Sequence, residues 1–174
     1  MNVFDWLTEG LSVLMDKGGM VMWAILGATV IMWTLVIERL YYIYRVFPED
    51  RTGFIQSWNA RHEHKSWRAR KIREALIAEA DGRLHRGLSL MRSLAAVLPM
   101  LGLLGTISGM MNTFDVMSVY GTGNARGMAS GISQALITTM AGLVTALSGL
   151  YFIYHLGHRA DLLKQALSDQ LDLK

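Results

Sequence analysis

Three long stretches without a charged side chain constrain the fold of this 174-residue sequence more than any other feature. They contain 20, 22 and 31 residues and cover positions 18–37, 93–114 and 127–157. A bilayer core of about 30 Å is crossed by about 20 helical residues, and a charged residue at the centre of a membrane helix costs roughly 2.5–3.5 kcal/mol. Three buried helices of a soluble protein would leave too little polar surface in so short a chain. We therefore predict an all-α integral membrane protein with three transmembrane helices.

The boundaries of the segments follow from the same pattern. We predict transmembrane segments at 19–40, 94–117 and 130–156, with tyrosines at the interface level close to the ends of the first and the third. Residues 1–18 are predicted to form an amphipathic helix, with Phe4, Leu7 and Leu11 on its apolar face. Apolar residues also recur at helical spacing in 41–93 and 157–174, which predicts helical extensions that pack against each other. A turn at 118–129 joins the last two spans.

The orientation follows from the basic residues. Twelve of the 17 Lys and Arg residues lie between positions 39 and 92. The positive-inside rule therefore predicts that 41–93 and the tail are cytoplasmic, and that the amino terminus and the 118–129 turn are outside the cytoplasm.

The densest basic run is HKSWRARKIR at positions 64–73. Basic residues with an interleaved tryptophan occur in nucleic-acid-binding patches. They also occur beside membrane spans, where they are attracted to anionic lipid. The predicted topology favours membrane lipids as the partner and not nucleic acid.

Neither an enzymatic site nor a metal site is predicted. The sequence has no cysteine, and it contains no nucleotide-binding loop and no HExxH or GxSxG motif. The histidine pairs His62/His64 and His155/His158 lack the third ligand that a zinc site requires. We therefore expect no catalytic residue, metal or cofactor.

Small residues form one face of each of the last two predicted spans. Small residues at helical spacing let membrane helices approach closely, because packing replaces the hydrophobic driving force in lipid. The residues predicted to serve helix packing are Gly102, Gly105, Gly109 and Gly142.

Hydroxyl groups lie on the same faces as these glycines. Counted from the outer ends of their spans at 1.5 Å per residue, Thr106 and Thr139 lie at nearly the same level in mid-membrane. Polar groups at this depth usually face a bundle interior or a wet pathway. The predicted pore-lining residues are Thr106, Thr139, Thr138, Thr113 and Gln134. Since no ionisable residue occupies the middle of a span, any titrating carboxylate would have to come from another chain.

Two motifs carry a resemblance to a known family. The runs LPMLGLLGTISGMMNTF (98–114) and GISQALITTMAGLVTA (131–146) are similar to the corresponding spans of the ExbB/TolQ/MotA proton-channel family. The layout of the first span, the middle segment and the tail also agrees with that family. The segment before the first span is short. The first span itself is preceded by MDKGG (15–19) and ends in ERL (38–40). Both features resemble ExbB proteins of the shorter type more than TolQ. MotA-type subunits have four spans.

The resemblance implies a pentameric ring in the bacterial inner membrane. The pore of such a ring holds the single membrane helices of ExbD, whose aspartate carries the proton, and TonB passes the energy to outer-membrane receptors. It also implies that Thr106 and Thr139 face that aspartate. The position of Gln134 is glutamate in well-known members, so here ExbD would be the sole proton carrier.

Two other functions remain open at this stage. One is a TolQ-like subunit of an envelope-maintenance complex, and the other is a passive scaffold that only anchors a partner.

Overall fold

The structure, a computed structural model, describes residues 3–60, 66–121 and 123–171. Within these ranges every regular element is helical, which confirms the all-α prediction. Helix α1 covers Val3–Tyr41 and is followed by a π-helical turn at Tyr42–Val46, by α2 at Phe47–Asn59 and by α3 at Trp67–His85. Helices α4 and α5 cover Leu88–Tyr120 and Ala125–Gln170. The side chains of Phe4, Leu7 and Leu11 and the pair His62/His64 lie outside the described residues.

Three helical regions are long and apolar enough to cross a membrane. They correspond to the three predicted spans, and the chain is a multi-pass membrane protein. The helices extend beyond the predicted spans, because α4 begins six residues before position 94 and α5 continues to Gln170. The predicted helical extensions are thus present, whereas the membrane boundaries themselves remain predictions.

The chain forms two compact units. The first, here called the apolar unit, comprises Met1–Trp33 and Ser93–Leu150. The second, here called the charged unit, comprises Thr34–Arg92 and Tyr151–Lys174.

In the apolar unit, α4 and α5 are antiparallel and in close contact. Met32 of α1 is completely buried and lies against Gly149 of α5. Most large apolar side chains point outward, as expected where lipid or other subunits replace water. Helix α1 contains one non-helical residue, Gly19, with φ 65° and ψ −159°. This conformation is almost restricted to glycine, and it lies where the first span was predicted to begin.

The charged unit has an apolar core between the ends of its helices. Its largest fully buried side chains are Trp58, Phe47, Leu84, Leu88, Met91, Ile153, Leu156, Leu167, Leu171 and Val36. Polar contacts join α3 to the end of α5, because Arg73 donates to the carbonyl of Leu171 at 2.6 Å and to that of Ser168 at 2.8 Å. The described parts of 41–93 and of the tail therefore pack together as predicted.

The position of Arg73 bears on the interpretation of the basic run. Its partner Ser168 lies twelve residues beyond position 156, the predicted inner end of the third span, or about 18 Å along α5. Attraction between exposed charges is largely screened beyond ~8 Å at physiological salt. On the predicted boundaries, residues 66–73 of the run lie beyond the range of a juxtamembrane lipid contact, and the lipid partner stays a prediction.

Candidate functional site

A pair of hydroxyl groups lies where α4 and α5 cross in the apolar unit. The Oγ1 atoms of Thr106 and Thr139 are hydrogen-bonded to each other, and both side chains are half-exposed. This contact confirms that the two residues lie at the same level, as the helical rise predicted.

The number of protons decides the direction of the bonds in this pair. Each hydroxyl has one proton to donate and two lone pairs with which to accept. The Oγ1 atom of Thr139 lies 3.0 Å from the carbonyl of Ala135 and 3.1 Å from that of Gly102, whereas Thr106 Oγ1 lies 3.4 Å from the Gly102 carbonyl. Thr139 has the better backbone acceptors, so Thr139 donates to a carbonyl and Thr106 donates to Thr139. The Thr106 oxygen then retains lone pairs for another donor.

Glycines bring the two helices close enough for this bond. A methyl group on Gly109 would lie 2.6 Å from the carbonyl oxygen of Gly131, and one on Gly142 would lie 2.7 Å from that of Leu98. Such distances are shorter than any real side chain tolerates, and their partners are backbone atoms that cannot rotate away. The four predicted packing glycines, Gly102, Gly105, Gly109 and Gly142, all lie at this α4–α5 contact.

Two of the predicted pore-lining threonines lie inside the protomer. Thr138 has no exposed surface and lies against Gly105, and its hydroxyl donates to carbonyls of its own helix. Thr113 is 5% exposed, and its hydroxyl lies 3.0 Å from the Gly109 carbonyl. Because the neighbouring helix covers both side chains, neither lies on an open face of the protomer, and their pore-lining role stays a prediction. Their hydroxyls satisfy backbone carbonyls within the helix pair.

Gln134 lies where all three helices of the apolar unit meet. Its Oε1 accepts a hydrogen bond from Asn112 Nδ2 of α4 at 3.0 Å. Its amide nitrogen lies against Gly19, the non-helical residue of α1. An amide suits this place, because it offers an acceptor to one helix and donors to another without carrying a charge.

The hydroxyl pair has no ionisable neighbour on its own helices in the apolar unit. Along those helices, the described ionisable residues that come first are Asp115 and Arg126, beyond the charge-free stretches. The described residues contain no group of three or more His, Asp or Glu side chains that could hold a metal ion. The pair can therefore exchange hydrogen bonds, but it cannot itself accept or release a proton near neutral pH.

Sequence reasoning missed two residues of this region. Gly131 lies against the carbonyl of Gly109, and Gly19 makes room for the Gln134 amide. The spacing of Gly131 and Ala135, small residues four apart, was a signal for the first of them. Nothing in the local sequence marks Gly19 as non-helical, because its neighbour Gly18 has the same local composition and stays helical.

A family model for the MotA/TolQ/ExbB proton channel family matches residues 49–169. This match covers well over half of the chain and includes the whole α4–α5 contact. The chain belongs to the MotA/TolQ/ExbB proton channel family.

Individual relatives of the chain cover shorter stretches. The chain is 42% identical over 85 residues to putative biopolymer transport protein ExbB-like 1 of Synechocystis, which is 45% of this chain and 34% of that protein. It is 30% identical over 96 residues to biopolymer transport protein ExbB of Salmonella typhimurium, which is 55% of this chain and 39% of that protein. It is also 30% identical over 95 residues to the Tol-Pal system protein TolQ of Pseudomonas aeruginosa, which is 55% of this chain and 41% of that protein. The matched region spans about a third of the length of the Synechocystis relative.

Proposed function

We propose that this chain is a ring-forming subunit of a proton-motive-force-driven motor of the ExbB–ExbD type in the bacterial inner membrane. In this proposal the ring is a pentamer, its partners are ExbD and TonB, and it energises import across the outer membrane. Family membership and the similarity to several proteins named ExbB support the proposal.

The observation that carries the proposal is the half-exposed Thr106–Thr139 hydroxyl pair in a region without ionisable groups. A carboxyl group of a partner helix alternates between an ionised form, which only accepts hydrogen bonds, and a protonated form, which also donates one. The free lone pairs of Thr106 accept from the protonated form. Rotation of the Thr106 hydroxyl away from Thr139 lets it donate to the ionised form.

This exchange assigns the two threonines different roles. Thr106 contacts the partner carboxyl in both of its protonation states. Thr139 is a positioning residue, because its own proton is used by backbone carbonyls while its oxygen accepts from Thr106. The proton itself is carried by the partner, since neither hydroxyl titrates in the required range.

The experiment uses Thr106→Val, which keeps the shape of the side chain and removes the hydroxyl, with Thr106→Ser as the matched control that keeps the hydroxyl. The chain is expressed with its single-span partner in cells that lack their own ExbB, and TonB-dependent uptake of an iron complex is measured. Thr106→Val is expected to reduce uptake at least about tenfold, and Thr106→Ser to retain most of it. If Thr106→Val retained as much uptake as an active Thr106→Ser control, the Thr106 hydroxyl would be excluded from the proton pathway.

A TolQ-like role in envelope maintenance is the second candidate, favoured by the match to TolQ of Pseudomonas aeruginosa. Expression in cells lacking TolQ and in cells lacking ExbB separates the two. Restored resistance to detergents without restored iron uptake supports the TolQ-like role.

A further inference from the structure

A cavity of about 490 Å³ in the charged unit has a wall rich in arginine. It lies between the end of α1 with the following turn and the carboxyl end of α3. The charged and polar residues that line it are Glu38, Arg39, Tyr42, Asp50, Arg83 and Arg86. One wall includes the π-helical turn at Tyr42–Val46, a rare geometry that is often found at functional sites.

Part of this charge is neutralised within the protein. Asp50 accepts a hydrogen bond from the Tyr42 hydroxyl at 2.8 Å and forms an ion pair with Arg83 at 3.2 Å. Burial, together with the hydrogen bond to Asp50, raises the pKa of the Tyr42 phenol, so this hydroxyl stays neutral. Arg83 also pairs with Glu79 at 2.9 Å. These groups are satisfied and leave no net positive charge for a ligand.

Arg39 and Arg86 differ from Arg83 in the partners of their guanidinium groups. Arg39 is only 3% exposed, and its guanidinium donates to the backbone carbonyls of Leu84 and Arg83 and stacks 4.7 Å from the Tyr42 ring. Arg86 is exposed. Among the residues that the structure describes, no carboxylate lies within 4 Å of either guanidinium. The buried guanidinium of Arg39 is held by neutral carbonyls and the Tyr42 ring, and the charge of Glu38 acts on it only from beyond ion-pair distance, so it lacks the paired counter-ion that usually offsets desolvation.

The position of the cavity along the chain indicates the kind of anion. Its first residues, Glu38 and Arg39, lie at the predicted inner end of the first span. Tyr41 and Tyr44, both exposed, follow at the interface level where tyrosine is enriched. Basic pockets between membrane helices on the cytoplasmic side are suited to phospholipid headgroups, and guanidinium groups bind phosphate through paired hydrogen bonds.

We propose that this cavity binds the phosphate of an anionic phospholipid headgroup, held by Arg39 and Arg86. Glu38, on the same wall, opposes the anion and limits its affinity. The inference rests on the membrane topology and the cavity, and it is independent of the motor function proposed above.

Arg86→Gln is the decisive variant, because Arg39 also holds the end of α3 and its replacement endangers folding. The matched control is Arg70→Gln, an exposed arginine towards the other end of α3 that makes no ion pair with the described residues. Glu38→Gln removes the negative charge at the cavity and tests for the opposite effect, a gain in affinity for the anionic lipid. The full chain is purified in a neutral detergent, and phosphatidylglycerol or phosphatidylcholine is added in steps while bound lipid is counted by native mass spectrometry.

Wild type and Arg70→Gln are expected to prefer phosphatidylglycerol equally. Arg86→Gln should lose about tenfold in affinity for it, the effect of one charge-assisted contact, and Glu38→Gln should gain several-fold. Inorganic phosphate, added in a parallel series, should not displace the lipid at equal concentration. If phosphate alone binds with the same dependence on Arg86, the lipid assignment is overturned in favour of a soluble phosphate compound. Unchanged binding in Arg86→Gln, or weaker binding in Glu38→Gln, overturns the site.

Discussion

The hydroxyl of Thr106 on α4 is hydrogen-bonded to the hydroxyl of Thr139 on α5, 33 residues later in the chain. The two residues occupy equivalent levels on helices that run in opposite directions. Their bond is asymmetric, because only Thr139 has close backbone acceptors for its own proton. Because of this asymmetry, Thr139 contributes more to the stability of the α4–α5 pair, whereas the Thr106 oxygen keeps free lone pairs for another donor.

Thr139→Val should therefore destabilise the protein more than Thr106→Val. The first change removes a bond between the two helices, from Thr139 Oγ1 to the Gly102 carbonyl, and such bonds contribute about 0.6–2 kcal/mol in membranes. Thr106→Val removes only the weak 3.4 Å contact with the Gly102 carbonyl and the hydrogen bond that Thr106 donates to Thr139. Thermal unfolding in detergent measures the difference, and a larger loss of melting temperature in Thr106→Val would contradict the assigned direction of the bonds.

Alanine at either Gly109 or Gly142 should force α4 and α5 apart. In each case the added methyl meets a backbone carbonyl of the opposite helix, at 2.6 or 2.7 Å. Overpacking of this kind costs about 1–3 kcal/mol. Gly27→Ala is the matched control, since nothing lies within 4 Å of its added methyl and alanine is the better helix former. The unfolding temperatures of Gly109→Ala and Gly142→Ala should lie below that of wild type. The unfolding temperature of Gly27→Ala should equal or exceed that of wild type.

Gly19→Ala should destabilise the apolar unit and loosen the Gln134 contact. An alanine at φ 65° and ψ −159° is strained by about 1–3 kcal/mol, and its methyl would collide with the Gln134 amide. Because the chain has no cysteine, a pair of introduced cysteines reports only on the chosen positions. Spin labels on the exposed residues Gly10 and Ile132 should show a broader distance distribution in Gly19→Ala.

A narrow distance distribution, unchanged from wild type, would show that the Gly19 conformation does not orient the outer part of α1. Gly27→Ala serves as the control for the labelling itself, since it lies on the same helix in open space.

Arg73→Gln should release the last turn of α5. The guanidinium of Arg73 donates to the Leu171 carbonyl and to both the carbonyl and the hydroxyl of Ser168, and it thereby caps the end of that helix. Loss of these bonds should lower amide protection in residues 165–171 about tenfold, by roughly 1–2 kcal/mol of local stability. Hydrogen exchange measured by mass spectrometry tests this, with Arg70→Gln as the control that should leave protection unchanged.

The charge-free stretches determined the three membrane helices, because the cost of placing a charge in lipid applies to each residue separately and can be read without a fold. The level of Thr106 and Thr139 was likewise predictable, since the rise per residue is a constant of the helix. The glycine faces predicted a close helix contact for the same local reason.

Only the tertiary structure decided which hydroxyl of the Thr138–Thr139 pair meets Thr106. Neighbouring residues on a helix differ by about 100° in direction, and the rotation of α5 against α4 is set by the glycines on both helices together. That rotation buries Thr138 against Gly105 and leaves Thr139 partly exposed. The contact of Gln134 with Gly19 and the reach of Arg39 to carbonyls of α3 also join residues distant in the chain, and their geometry depends on how whole helices pack.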